Sequence, residues 1–304
     1  MDFLALFVSL PTRQSAGRMR IWRALRALGC ATLRDGVYLL PDSPEHAAAL
    51  EQIAENVRAV QGTADLFRLA GRDAVQQAAV VALFDRGADY ARLLQAIRAA
   101  LAAAEPRTAH ALRREFKAIA AIDHFPGEAQ QQVAAVLAEL AAVAGGEPRA
   151  EDGKVRRLTS ADYSGRTWAT RKNLWVDRMA SAWLIRRFID RQAKFLWLDN
   201  PKKCPKSALG FDFDGAAFTH VGGRVTFEVL AASFGLDSDP ALVRIAAIVH
   251  CLDVGGVPVA EAPGIEAVLA GARAAAPSDD KLLTEASRVL DNLYKSYKQE
   301  SAHE

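Results

Sequence analysis

The sequence predicts an α+β protein in two parts. The first is a ferredoxin-like βαββαβ unit with appended helices, residues 1–144, and the second a helix-dominated α+β domain with a small sheet, residues 154–304. Three observations carry this. Short apolar runs alternate with two amphipathic helices over the first 70 residues in the order βαββαβ, which buries both helices on one face of an antiparallel sheet. An Ala-rich stretch from 73 to about 144 has helical periodicity, with Leu93, Leu94, Ile97 and Leu101 on one face and Phe116, Ile119 and Ile122 on another. The polar segment Gly145 to Gly153, carrying glycine and proline, then separates two regular regions and reads as a linker.

Taken in order, Phe3 to Leu10 is an apolar strand. Ser15 caps a helix running to Leu28, which Gly29 ends in a left-handed conformation. Met19, Trp22, Leu25 and Leu28 are expected to form its buried side. Ala31 to Leu33 and Val37 to Leu40 are strands around Arg34-Asp35-Gly36, a hairpin turn of the Asp-Gly type. Ser43-Pro44 supplies an N-cap and first helical residue, and Asp65 to Ala70 closes the unit with a strand. Beyond the linker comes an irregular basic segment, then a helix over about 177–190 with Asp177 as N-cap, and a strand at Lys194 to Leu198. A hairpin is expected where Ala217 to His220 and Arg224 to Thr226 flank Val221-Gly222-Gly223. Helices follow over Phe227 to Phe234, Asp239 to about Asp253, Ile265 to Ala275, and Ser278 to about Gln299.

Composition narrows the function. Three cysteines without a CxxC pair suit a reducing compartment and argue against a disulfide framework or a zinc ribbon. The N-terminus lacks the basic start of a signal peptide, and no run approaches the roughly 20 apolar residues of a membrane span. A cytoplasmic protein is expected. The overall charge of +2 hides a local pattern: Lys154 to Lys206 holds 14 Lys/Arg against 4 Asp/Glu, net +10, and Ala208 to Asp280 holds 3 against 10, net −7. Such a split suggests an anion partner for one half and a cation site for the other, although solvated helices produce the same excess.

Three constellations could carry chemistry. Arg178 falls in the first turn of its helix, where the macrodipole disfavours a cation by up to about 1 kcal/mol. An anion held by free backbone amides, Arg178 and Arg171 would offset this; so would a salt bridge to Asp177 or another carboxylate. His220, Glu228, His250 and Asp253 form a loosely spaced set of imidazoles and carboxylates that would take a divalent metal ion or act as an acid–base group. Arg13, Arg18, Arg20, Arg23 and Arg26 flank or ride the first helix and can lie on a phosphate backbone; a solvated face explains the same pattern. There is no helix-turn-helix, zinc-finger, P-loop, GxSxG, HExxH or GxGxxG pattern, and no catalytic residue is assigned.

Two blocks resemble a known family. FVSLPTRQSAGRMRIWRALRALGCATLRDGVYLLPDSPEH, from Phe7, is similar to the N-terminal domain of the chromate resistance protein ChrB family, and its arginine-rich helix and DGVYLLP also resemble the Cas2-like part of PaaX-type repressors. WATRKNLWVDRMASAWLIRRFIDRQAKFLWL, AAFTHVGGRVTFEVLAASFGLD and ALVRIAAIVHCLDVGG resemble that family's C-terminal domain. The resemblance implies a cytoplasmic, chromate-responsive repressor that binds operator DNA, as a homodimer on symmetry grounds, and releases it when a tetrahedral oxyanion binds. It places Arg171, Arg178 and His220 in the family's basic and histidine motifs, and Glu228, His250 and Asp253 on recurring polar positions. Ser181-Ala182 stands where the family often has Cys-Pro, so no thiol role carries over there. The alternative is a metal-dependent enzyme acting on an oxyanionic substrate.

Overall fold

The computed structural model describes residues 1–11, 15–103, 106–145 and 155–301. The chain divides into two compact units, Met1–Ala96 with Arg107–Gln130, and Ile97–Pro106 with Gln131–Glu304.

In the N-terminal unit, β1 (Phe3–Ser9), β2 (Ala31–Arg34), β3 (Val37–Pro41) and β4 (Thr63–Leu69) form an antiparallel sheet in the order β2-β3-β1-β4. That is the ferredoxin-like order. β1 is central, with Leu4 opposite Leu40 on one side and Arg68 on the other. Helices α1 (Ser15–Ala27) and α2 (Pro44–Ala59) contribute Ile21, Leu25, Leu50, Ile53 and Val57 to its core. The expected punctuation is present. Gly29 and Gly36 have φ of +69° and +76°, and the Ser43 hydroxyl accepts the His46 amide. One face is corrected: Ile21 and Leu25 point inward, whereas Met19 and Trp22 are exposed, Trp22 lying beneath the Arg26 guanidinium at 4.8 Å.

Helices α3 (Ala74–Ala82), α4 (Gly87–Ala103), α5 (Pro106–Ala120) and α6 (Glu128–Gly145) follow. Whereas the sequence places all of them with the first domain, the end of α4 and all but the first turn of α6 belong to the C-terminal unit. Glu139 of α6 accepts a forked bond from Arg224 at 2.8 Å to each oxygen, Gln132 accepts the Val257 amide, and Arg98 of α4 has Glu228, Arg224 and Glu139 as charged neighbours.

The C-terminal unit is built on a parallel sheet, β6 (Lys194–Leu198), β5 (Thr167–Arg171) and β7 (Leu209–Gly210) in the order β6-β5-β7. Around it lie α7 (Val176–Leu184), α8 (Thr226–Ser233), α9 (Pro240–Asp253), α10 (Ala262–Ala275) and α11 (Asp279–Glu300). Trp168, Trp183, Phe211, Phe227, Ile245 and Leu290 share one core. A π-helical turn, Ile185–Ile189, extends α7. β5 lies in the stretch expected to be irregular, and its three middle residues are fully buried, as a strand covered on both faces must be. The expected hairpin at 217–226 reduces to a single bridge, Val221 to Arg224, because α8 begins at Thr226. No helix among the described residues is long and apolar enough to cross a membrane.

Candidate metal and oxyanion site

Parallel strands point their carboxyl ends the same way, and ligand crevices in such sheets form outside those ends. β5 ends at Arg171, and β7 runs into Phe211 and Asp212, so an arginine and an aspartate emerge side by side. The Asp212 backbone is left-handed at φ +55°, a conformation aspartate tolerates better than most residues. Its Oδ2 lies 3.3 Å from Arg178 Nε and 3.6 Å from an Arg171 terminal nitrogen. Arg178 also donates to the Lys172 carbonyl at 2.8 Å. The carboxylate that offsets Arg178 is therefore Asp212, on a strand end distant in sequence, and not Asp177.

Asp177 is not the N-cap of α7, a position held by Trp175. It sits inside the first turn, 1% exposed, and serves another helix. Its Oδ2 accepts the Thr226 amide at 2.9 Å, and its Oδ1 accepts the Phe227 amide at 2.8 Å and the Ser181 hydroxyl at 3.2 Å. A carboxylate from α7 thus caps α8, fixing where α8 starts. Ahead of α7, the Asn173 and Leu174 amides donate to the Asp279 carboxylate.

His220 completes the group. Its Nε2 lies 3.4 Å from Asp177 Oδ2, 3.6 Å from Asp212 Oδ1 and 3.6 Å from Asp253 Oδ2. Ligand atoms of Asp177, Asp212 and His220 all lie within 4.8 Å of one another, a spacing at which three residues can share a metal ion. The charges perturb one another as proximity requires. Burial, then the neighbouring Asp177 charge, pushes Asp212 up to about 6 against the pull of Arg178 and Arg171. Burial and Asp177 also raise Asp253, the Asp177 carboxylate raises His220, and burial lowers Arg178.

The sequence-derived quartet His220, Glu228, His250 and Asp253 does not meet as one centre. His220 and Asp253 join the aspartates, while Glu228 Oε2 binds His250 Nδ1 at 2.9 Å. Glu228 also accepts the Val225 amide, so it helps start α8. Arg171, Arg178 and His220 do converge, through Asp212. Sequence reasoning missed Asp212, whose partners lie 34 and 41 positions earlier, and misread Asp177 as a local cap. The acidic excess after Ala208 was the one signal for Asp212.

On α1, Arg18, Arg20, Arg23 and Arg26 are exposed, and none has a carboxylate partner among the described residues. Arg13 lies outside the described residues. Arg186 and Arg187 take neighbouring partners, the Phe195 ring and Asp291. All three cysteines are free, and burial pushes the Cys30 thiol up to about 12.

Residues 18–103 match the family description "Protein ChrB, N-terminal", and residues 168–297 match "ChrB, C-terminal domain". The chain is 48% identical to Protein ChrB of Cupriavidus metallidurans, over 96% of this chain and 94% of that protein. No solved structure matches it significantly. With both halves matched and nearly the whole length shared, the chain belongs to the ChrB family and is a chromate-resistance-related protein.

Proposed function

We propose that the chain is a chromate-responsive repressor. It binds operator DNA through α1 as a homodimer in the cytoplasm, and it releases that DNA when a tetrahedral oxyanion occupies the carboxyl edge of the parallel sheet beside Arg171, Arg178 and His220. The observation that carries the reading is the convergence of Arg171 and Arg178 on one carboxylate, Asp212, at that edge. Guanidinium groups presented together hold a tetrahedral dianion through charge-assisted bonds of about 1.5–3 kcal/mol each. An incoming oxyanion would replace Asp212 as their partner and so disturb the loop that leads to α8. On α1, the exposed arginines supply the phosphate-neutralising charge that DNA binding requires.

Gel shifts of a promoter fragment with and without chromate test the reading. Wild-type protein is expected to release the fragment at rising chromate, whereas Arg171→Ala and Arg178→Ala should stay bound; normal release in both variants overturns the site. Removing Arg20 or Arg23 should weaken DNA binding uniformly across sequences and flatten its salt dependence by about one unit for each phosphate no longer neutralised.

A further inference from the structure

The oxyanion reading leaves a charge problem. At the carboxyl edge, Asp177, Asp212 and Asp253 face two guanidinium groups and one imidazole, so with all three carboxylates ionised the cluster is only neutral even when His220 is protonated. A dianion entering it gains little net attraction. The geometry around His220 raises a second problem. Three carboxylate oxygens surround one nitrogen at 3.4–3.6 Å, longer than the roughly 2.7–3.2 Å usual for an N–H···O bond, so even the nearest contact, to Asp177, is a long one. The spacings from His220 to Asp177 and Asp212 match something else. Ligands bound at about 2.0–2.2 Å to a tetrahedral ion lie about 3.3–3.6 Å apart.

We propose that Asp177, Asp212 and His220 are the ligands of a divalent metal ion, and that this ion supplies the positive charge that lets Arg171 and Arg178 hold a tetrahedral oxyanion. The inference rests on the oxyanion reading and adds the cation to it. The three ligands come from α7, the end of β7 and the segment before α8, and each aspartate is already aimed by other groups. Asp177 is held by the Thr226 and Phe227 amides and the Ser181 hydroxyl. Asp212 accepts the Thr226 hydroxyl with Oδ1 and pairs with the arginines through Oδ2. Partners of this kind orient metal ligands and tune their basicity. Asp212 is thus placed to bridge, one oxygen on the ion and the other on the guanidinium groups. Three protein ligands leave coordination positions open, the arrangement of sites that take a further ligand. Two carboxylates and an imidazole suit a first-row ion such as Mn²⁺ or Zn²⁺.

A second buried imidazole lies one turn from Asp253, outside the triad. His250 shares a face of α9 with Asp253 and is close enough to affect its carboxyl. It is 1% exposed, Glu228 holds its Nδ1, and its Nε2 has no hydrogen-bond partner among the described residues. Buried nitrogens are seldom left so. This one lies beside Gly256 and the Gln132 side chain, and His250 is not one of the three ligands.

The test uses full-length protein and titrates Mn²⁺ and Zn²⁺ alone by calorimetry, then chromate, with sulfate as the redox-inert dianion, in the presence and absence of the ion. One ion per chain is expected. Its affinity should fall at least tenfold in His220→Ala and in Asp212→Asn, and stay unchanged in Asp199→Asn, whose carboxylate is exposed and pairs with Lys172. Anion affinity should rise at least tenfold with the ion in wild type and not at all in His220→Ala; by reciprocity, the anion must tighten the ion by the same factor. Melting curves identify any variant that fails to fold, leaving the other to report. No ion binding, or binding unchanged in both variants, overturns the metal site. Anion binding that ignores the ion overturns the coupling. An ion bound through the triad with no anion binding under any condition overturns the oxyanion reading and leaves the cation site standing.

Discussion

Asp190 shows what one buried carboxylate does in this fold. It is 1% exposed and accepts the Gly165, Arg166 and Gln192 amides at 2.8–3.0 Å and the Trp168 indole N–H at 3.1 Å. Burial works to raise its pKa, but those four donors outweigh burial and hold it below the ordinary value of 3.8. Asp190→Ala strands the donors and should cost about 3–5 kcal/mol in denaturant unfolding at pH 7. A group whose folded pKa is depressed stabilises above its unfolded pKa and loses that contribution as pH falls through the folded one. The gap between wild type and Asp190→Asn should therefore be full at pH 7 and shrink progressively below about pH 4. At this scale the sequence was least legible. Asp190, Asp177 and Asp212 look alike in a one-dimensional string, yet one staples a strand start, one caps a distant helix, and one neutralises two arginines. Local patterns carry no information about partners 20–50 residues away, and all three aspartates act at that range.

Elements were easier to read where their ends are decided locally. Ser43-Pro44, Asp35-Gly36, Gly29 and Ser278 each act as expected, because a cap or a left-handed turn needs only its neighbours. β5 and β7 were not legible. A short strand in a covered parallel sheet has no alternation of apolar and polar residues, and Leu209–Gly210 is too brief to show any pattern. The connection from β5 to α7 offers a test at this scale. Asn173 sits there at φ +59°, with its amide on Asp279. Asn173→Gly should be close to neutral, whereas Asn173→Val should lower stability by about 1–2 kcal/mol, because a branched side chain meets the backbone in that region. Equal melting temperatures for the two variants would count against the conformation.

For the whole molecule, the two-part plan and the ferredoxin-like order were readable from periodicity and turn chemistry, but the division of the middle helices was not. Helix α6 continues past the last residue of the N-terminal unit, and nothing in an Ala-rich periodic stretch marks where allegiance changes. A fragment starting at 155 loses Glu139 beneath Arg224 and Gln132 beneath Val257. It should melt on the order of 5 °C below a fragment starting at 131, although the shorter one begins closer to the expected domain boundary. Equal melting would place that stretch outside the unit. The same feature bears on how such chains can be rearranged during evolution. The N-terminal unit claims residues 107–130 after the C-terminal unit has already claimed 97–106, so the two are interleaved along the chain. A single recombination point between 107 and 130 would deliver a C-terminal unit missing its first piece. Exchanging C-terminal units between relatives by one crossover should therefore yield hybrids that need compensating changes around Arg98, Glu139 and Arg224.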